Sequence, residues 1–152
     1  MQNHRWAEYL FVVLAALGFL DATYLTVKFL TGGPIPCALT EGCERVTTSA
    51  YAEIAGIPVA LLGAIYYLAL FLLSLIYLSS GNHFLFKLFT RATIIGLLTS
   101  GWLVYVQIFI LNSFCSYCLF SAVLSTVLFL LALFMAFRGS VGQRSGDGAA
   151  LS

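Results

Sequence analysis

The sequence predicts an all-α integral membrane protein, a four-transmembrane-helix bundle with a long extracytoplasmic first loop. Three observations carry this. Of 152 residues, 61% are hydrophobic and only 9% charged, with a mean hydropathy of +1.00, whereas soluble domains run to about 25% charged. Four apolar segments each reach the ~20 residues needed to cross ~30 Å of hydrocarbon. All four cysteines stand between these segments or at the start of the last one. A net charge of +1 without a Lys/Arg cluster excludes a nucleic-acid partner.

The first segment, Tyr9–Leu30, has 22 residues, longer than the roughly 7–15 of a signal-peptide core and without a small-x-small cleavage site, so it reads as a retained helix. It contains Asp21, whose ionised form costs ~2.5–3.5 kcal/mol at membrane depth, so this carboxyl is expected to be protonated or buried with a partner. A long loop (31–57) leads to the second segment, Pro58–Leu78, with Pro58 suited to a first helical turn. A loop over 79–91, "SSGNHFLFKLFTR", precedes Ala92–Leu111, and the tripeptide Asn112–Phe114 precedes Cys115–Phe137. Residues 1–138 thus form one membrane domain, and the Gly/Ser-rich stretch 139–152 is expected to be a disordered tail. Lipid offers no hydrogen bonds to the backbone, which makes a helix bundle the economical solution. Gly18, Gly63, Ala64, Gly96 and Gly101 are expected to let helices approach closely.

Arg5, Lys87, Arg91, Arg138 and Arg144 flank one side and Lys28 and Arg45 the other. By the positive-inside rule both termini are then cytoplasmic, and loops one and three face the outside of a bacterial inner membrane. Cys37, Cys43, Cys115 and Cys118 all fall on that oxidising face. A CxxC loop constrains the unfolded chain little, so redox chemistry explains the pair better than stability does. Ser113 is a natural N-cap for the fourth helix, which places Cys115 in its first turn, where unpaired N–H groups lower a thiol pKa from ~8.5 to ~3.5–7.5. Cys118 lies one turn deeper on the same face. Cys37 and Cys43 sit in a Gly/Pro-punctuated loop. A loop pair above a fixed pair forms a two-step exchange relay whose final acceptor should be lipid-soluble, a quinone.

The motifs "LDATYLT", the loop cysteine pair, Ser49 six residues after Cys43, "SAYAEIAGIPVALLGAIYY" and "CSYC" together resemble the bacterial branch of the vitamin K epoxide reductase family over about residues 10–137. The resemblance implies a four-helix bundle around a quinone, ubiquinone or menaquinone, acting as electron acceptor. It implies that Cys37 exchanges with a thioredoxin-like extracytoplasmic partner and that Cys43 attacks Cys115 of a Cys115–Cys118 disulfide, leaving Cys118 beside the quinone. Ser49 matches the loop serine held to support the quinone side by hydrogen bonding. Val59 and Ala122 stand where vertebrate members carry their two quinone-carbonyl donors, and neither side chain donates. Plain quinone reduction is therefore expected rather than epoxide reduction, in support of disulfide formation in exported proteins. No thioredoxin-like domain is fused to this sequence, so the partner is expected to be a separate protein. Val59, Leu62, Tyr67, Tyr105 and Ala122 are the expected quinone-binding residues.

A metal cofactor is not expected, because Cys37 and Cys43 are too far apart for a zinc pair and neither His4 nor His83 lies nearby. The alternative from another class is a membrane carrier for a thiophilic metal ion. It should space its cysteines through the membrane, whereas here the cytoplasmic half has none.

Overall fold

The computed structural model describes the backbone of residues 5–36 and 42–149, with side chains as far as Arg138. The chain forms a long helix α1 (Arg5–Thr31), a short helix α2 (Gly42–Thr47), strands β1 (Glu53–Ile54) and β2 (Ile57–Pro58), and helices α3 (Val59–Ser80), α4 (His83–Tyr105) and α5 (Ser116–Ala149). A π-helical turn, Val106–Ile110, continues α4. Four stretches are long and apolar enough to cross a membrane: Arg5–Thr31, Val59–Ser80, His83–Ile110 and Ser116–Arg138. The expected four-helix membrane bundle is the observed fold. Helix α1 packs on α3 and α5, and α4 packs on the same two, which closes the ring.

Buried Ala7, Phe11, Ala15, Tyr67, Leu70, Phe89 and Leu128 belong to one continuous core. The rings of Phe11 and Phe89 lie 5.2 Å apart, and Tyr77 meets Phe89 edge-on at 5.5 Å, the offset geometry that ring quadrupoles favour. The small residues act unevenly. A Cβ on Gly18 would overlap the Tyr67 ring, one on Gly96 would overlap the Tyr66 hydroxyl, and one on Gly63 would rest 3.7 Å from Ala22. Gly101 has nothing within 4 Å, so it mediates no close approach.

The second loop is shorter than the sequence suggests. Gly81 adopts the left-handed conformation (φ 60°) and returns its N–H to Tyr77, and the Asn82 side chain accepts from the Phe84 N–H at 3.0 Å to start α4. Lys87 and Arg91 lower the local hydropathy without breaking a helix, which is why 83–91 reads as a loop by apolarity alone. At the other end, the α5 backbone stays helical to Ala149, so it shows no break at Gly139. No proline interrupts that stretch, and an isolated glycine disfavours a helix by only ~1 kcal/mol.

Among the described residues of the first loop, Gly42–Thr47 is helical, and the chain then forms an antiparallel hairpin pairing Glu53 with Pro58 and Ile54 with Ile57. Its two-residue turn has positive φ at both positions, Ala55 (54°) and Gly56 (80°), as the right-handed strand twist demands. Alanine at the first position hides this turn from a search for Asn-Gly or Asp-Gly.

Gly18→Leu is expected to drive the Tyr67 ring from its seat and destabilise the bundle by about 1–3 kcal/mol, while Gly101→Leu leaves stability unchanged. Thermal unfolding of both variants in detergent checks this; equal midpoints would refute it.

Candidate functional site

At one end of the bundle, α2 lies against the segment that joins the π-helical turn to α5. Glycine is required at its first position, because a Cβ on Gly42 would stand 2.7 Å from the backbone oxygen of Phe114 and 2.8 Å from its nitrogen. That approach brings Cys43, Val46 and Cys115 into one buried cluster flanked by Ile35, Leu111, Tyr117 and Cys118. The Tyr117 hydroxyl donates to the Pro36 carbonyl at 3.3 Å, tying the first loop to α5. Cys43 is disulfide-bonded, whereas Cys115 and Cys118 are free thiols. Cys37 lies outside the described residues.

The capping residue of α5 is Cys115, not Ser113. The Cys115 carbonyl accepts the N–H of Leu119 at 3.0 Å, and its sulfur accepts the N–H of Cys118 at 3.4 Å, the place a serine oxygen takes in an ordinary N-cap. Ser113 is buried two residues earlier, where its N–H donates to the Gln107 carbonyl at 3.1 Å. The π-helical turn makes this possible: Leu111 donates to Val106 at 2.9 Å, five residues back, and buries Val106 and Gln107 together. The Gln107 side-chain oxygen then accepts the Cys115 N–H at 3.2 Å. Asn112, with φ 45°, turns the chain between the two helices.

Cys115 thus has a thiol stabilised as its anion. The Cys118 thiol donates to its sulfur, and backbone N–H groups of Cys118 and Tyr117 add to this; against the opposing effect of burial they lower its pKa to about 7. The cysteine that faces Cys43 is therefore substantially ionised near neutral pH.

Beneath this cluster lies a cavity of about 460 Å³. Leu25, Phe29, Val59, Leu62, Leu103 and Val106 make much of its wall apolar, and Cys118 lines it. An apolar, ring-sized cavity walled in part by a thiol fits a quinone head group in size and polarity.

Of the residues predicted to contact a quinone, Val59, Leu62, Tyr67 and Ala122 line this cavity, as does Ser49. Tyr105 does not. The cavity-facing positions of α4 and its π turn are Ile95, Gly96, Thr99, Ser100, Leu103, Val106 and Gln107, a helical stripe that leaves Tyr105 on another face. There it is half-exposed, with its ring 5.8 Å from Trp102 and 4.9 Å from Phe109. The Ser49 hydroxyl donates to the Val46 carbonyl at 2.8 Å. The Tyr67 hydroxyl donates to the Ser121 carbonyl at 2.8 Å and meets the hydroxyls of Ser121 and Ser125, each at 2.9 Å.

Gln107, Tyr66 and Asp21 are among the wall residues that the sequence did not assign to the site. Gln107 carried no signal, because its role depends on the π turn. Tyr66 sat beside the chosen Tyr67. Asp21 was visible as an ionisable group at membrane depth, but no partner or role could be read for it.

Titrating the thiolate absorbance of the protein with the Cys43 disulfide intact should give a midpoint near pH 7 for Cys115, ionised above it and protonated below. Cys118→Ala removes the donated hydrogen bond and should move that midpoint upward. An unmoved midpoint would rule out the hydrogen bond as its cause.

The model of the vitamin K epoxide reductase family matches residues 9–133, a span that takes in the four membrane helices to within a few residues of their ends, both loops of the site and every cysteine. The chain belongs to the vitamin K epoxide reductase family and is an oxidoreductase.

Proposed function

We propose that this protein reoxidises a separate thioredoxin-like protein and passes the electrons to a membrane quinone, so sustaining disulfide formation in exported proteins. The observation that carries this reading is a continuous path: Cys43 shares a buried cluster with Cys115, and Cys118, one turn on, lines the apolar cavity. A Cys37–Cys43 disulfide is part of the proposal, and the bonded state of Cys43 supports it.

The partner's thiolate attacks the Cys37 sulfur and its second thiol resolves the mixed disulfide, leaving the partner oxidised and Cys37 and Cys43 as thiols. Cys43 then attacks Cys115 of a Cys115–Cys118 disulfide and Cys118 leaves as thiolate. Cys37 resolves the Cys43–Cys115 bond, so the loop disulfide is restored and both electrons rest on Cys115 and Cys118. Free thiols at these two positions beside a bonded Cys43 correspond to that stage. Cys115 is the leaving thiolate when Cys37 attacks the Cys43 sulfur, and its lowered pKa favours that departure. A quinone held by Val59, Leu62, Ala122 and the Tyr67 ring supplies a two-electron, two-proton acceptor for this dithiol, whose disulfide re-forms. The Lys/Arg distribution supports an orientation with the cysteine end of the bundle at the outer face of a bacterial inner membrane and both termini cytoplasmic.

Purified protein with a soluble quinone and a reduced thioredoxin-like donor tests the reading. Cys118→Ala should abolish quinone reduction; turnover that survives would sink the mechanism. Cys37→Ala should block the protein donor yet leave dithiothreitol able to reduce the CxxC directly, whereas equal loss with both donors would make the loop pair structural.

Gly42→Val should push α2 off Phe114 and slow transfer from the loop pair to Cys115 by roughly 10- to 100-fold, while dithiothreitol-driven turnover holds. Rapid-quench alkylation of the cysteines reads that step; an unchanged rate would show that the close approach is not needed.

A further inference from the structure

The cavity wall holds several hydroxyls, and most are committed. Thr47, Ser49 and Thr99 donate to carbonyls of their own segments at 2.8–2.9 Å, and the hydroxyls of Ser121 and Ser125 each bond to that of Tyr67. Two buried side-chain atoms among the described residues have no hydrogen-bond partner, Asp21 Oδ2 and the Tyr66 hydroxyl oxygen. Both residues line this cavity. Asp21 comes from α1 and Tyr66 from α3, where its hydroxyl rests over Gly96 of α4. A buried polar atom without a partner is costly and rare, and two of them on the wall of one cavity point to a ligand that completes them.

Val59 and Ala122 also line the wall, and neither has a polar side-chain atom. We propose that Asp21 and Tyr66 are the polar anchors of the cavity, hydrogen-bonding the oxygen atoms of a quinone head group. A carboxyl and a phenol each donate to a carbonyl oxygen and accept from a hydroxyl, so the same two side chains hold the oxidised and the reduced ring. Their role is positioning. This rests on the cavity being a quinone site, and the experiment separates the two claims.

Short-chain ubiquinone is the probe. Its dissociation constant is measured on protein carrying Cys118→Ala, which cannot turn over, by tryptophan quenching and by the rise in thermal unfolding midpoint that the quinone produces. In otherwise native protein, KM and kcat for the quinone are measured with dithiothreitol as donor. Tyr66→Phe removes one oxygen and keeps the ring, so it should weaken binding and raise KM about tenfold, with kcat changed less than about threefold. Without quinone its unfolding midpoint should equal or exceed that of the parent, since an unpaired hydroxyl has been removed. Asp21→Asn keeps a donor and an acceptor and should bind quinone within about threefold of the parent, whereas Asp21→Leu should lose about tenfold or more. Unchanged quinone affinity in Tyr66→Phe, with quinone-binding parent protein, overturns the inference even if Asp21→Leu fails to fold. Parent protein that neither binds nor reduces the quinone overturns the functional reading instead.

Discussion

Tyr67 is the contact on which the rest of the bundle depends. Its ring occupies the space that a side chain at Gly18 would take, which sets how close α1 comes to α3. Its hydroxyl bonds Ser121 and Ser125 of α5, which sets the rotation of the helix that begins with the CxxC. In lipid there is no general hydrophobic drive between helices, so a close-packed ring and a satisfied interhelical hydrogen bond decide which faces meet. One residue thus fixes three helices and makes part of the cavity wall.

The redox end is built by a second set of backbone constraints. A π-helical turn rotates the end of the third membrane span so that Gln107 reaches the Cys115 N–H. A glycine lets α2 press onto the same connection. Both act on the backbone around Cys115, and together they bury it in one cluster with Cys43 while leaving Cys118 to line the cavity. In the proposed relay this separates exchange between cysteines, which needs contact and an ionised thiol, from chemistry with an apolar acceptor, which needs an enclosed and mostly nonpolar space.

The number and approximate extent of the membrane helices were legible because lipid imposes length and apolarity on each span independently. The clustering of Cys43, Cys115 and Cys118 at one end was legible for the same reason, since alternate crossings send their connections to alternate sides. Residues 83–91 were misread because apolarity was taken as the mark of helix, although Asn82 caps a helix that begins while the chain still carries Lys87 and Arg91. Ser113 was misread as the cap because a cysteine sulfur is not the usual capping group, yet Cys115 occupies that place. Tyr105 was misplaced because aromatic character is the same on the cavity face and the outer face of a helix.

The sequence by itself determined the four spans and the positions of the four cysteines, because each follows from composition or spacing along a single segment, and it showed the family through a resemblance of motifs spread along the chain. Only the tertiary structure decided the Gly18–Tyr67 seat, the π turn beneath Gln107, and the meeting of Asp21 and Tyr66 on one wall with Val59 and Ala122. These depend on the rotation of each helix about its own axis, and that rotation is set by contacts between segments far apart in the chain.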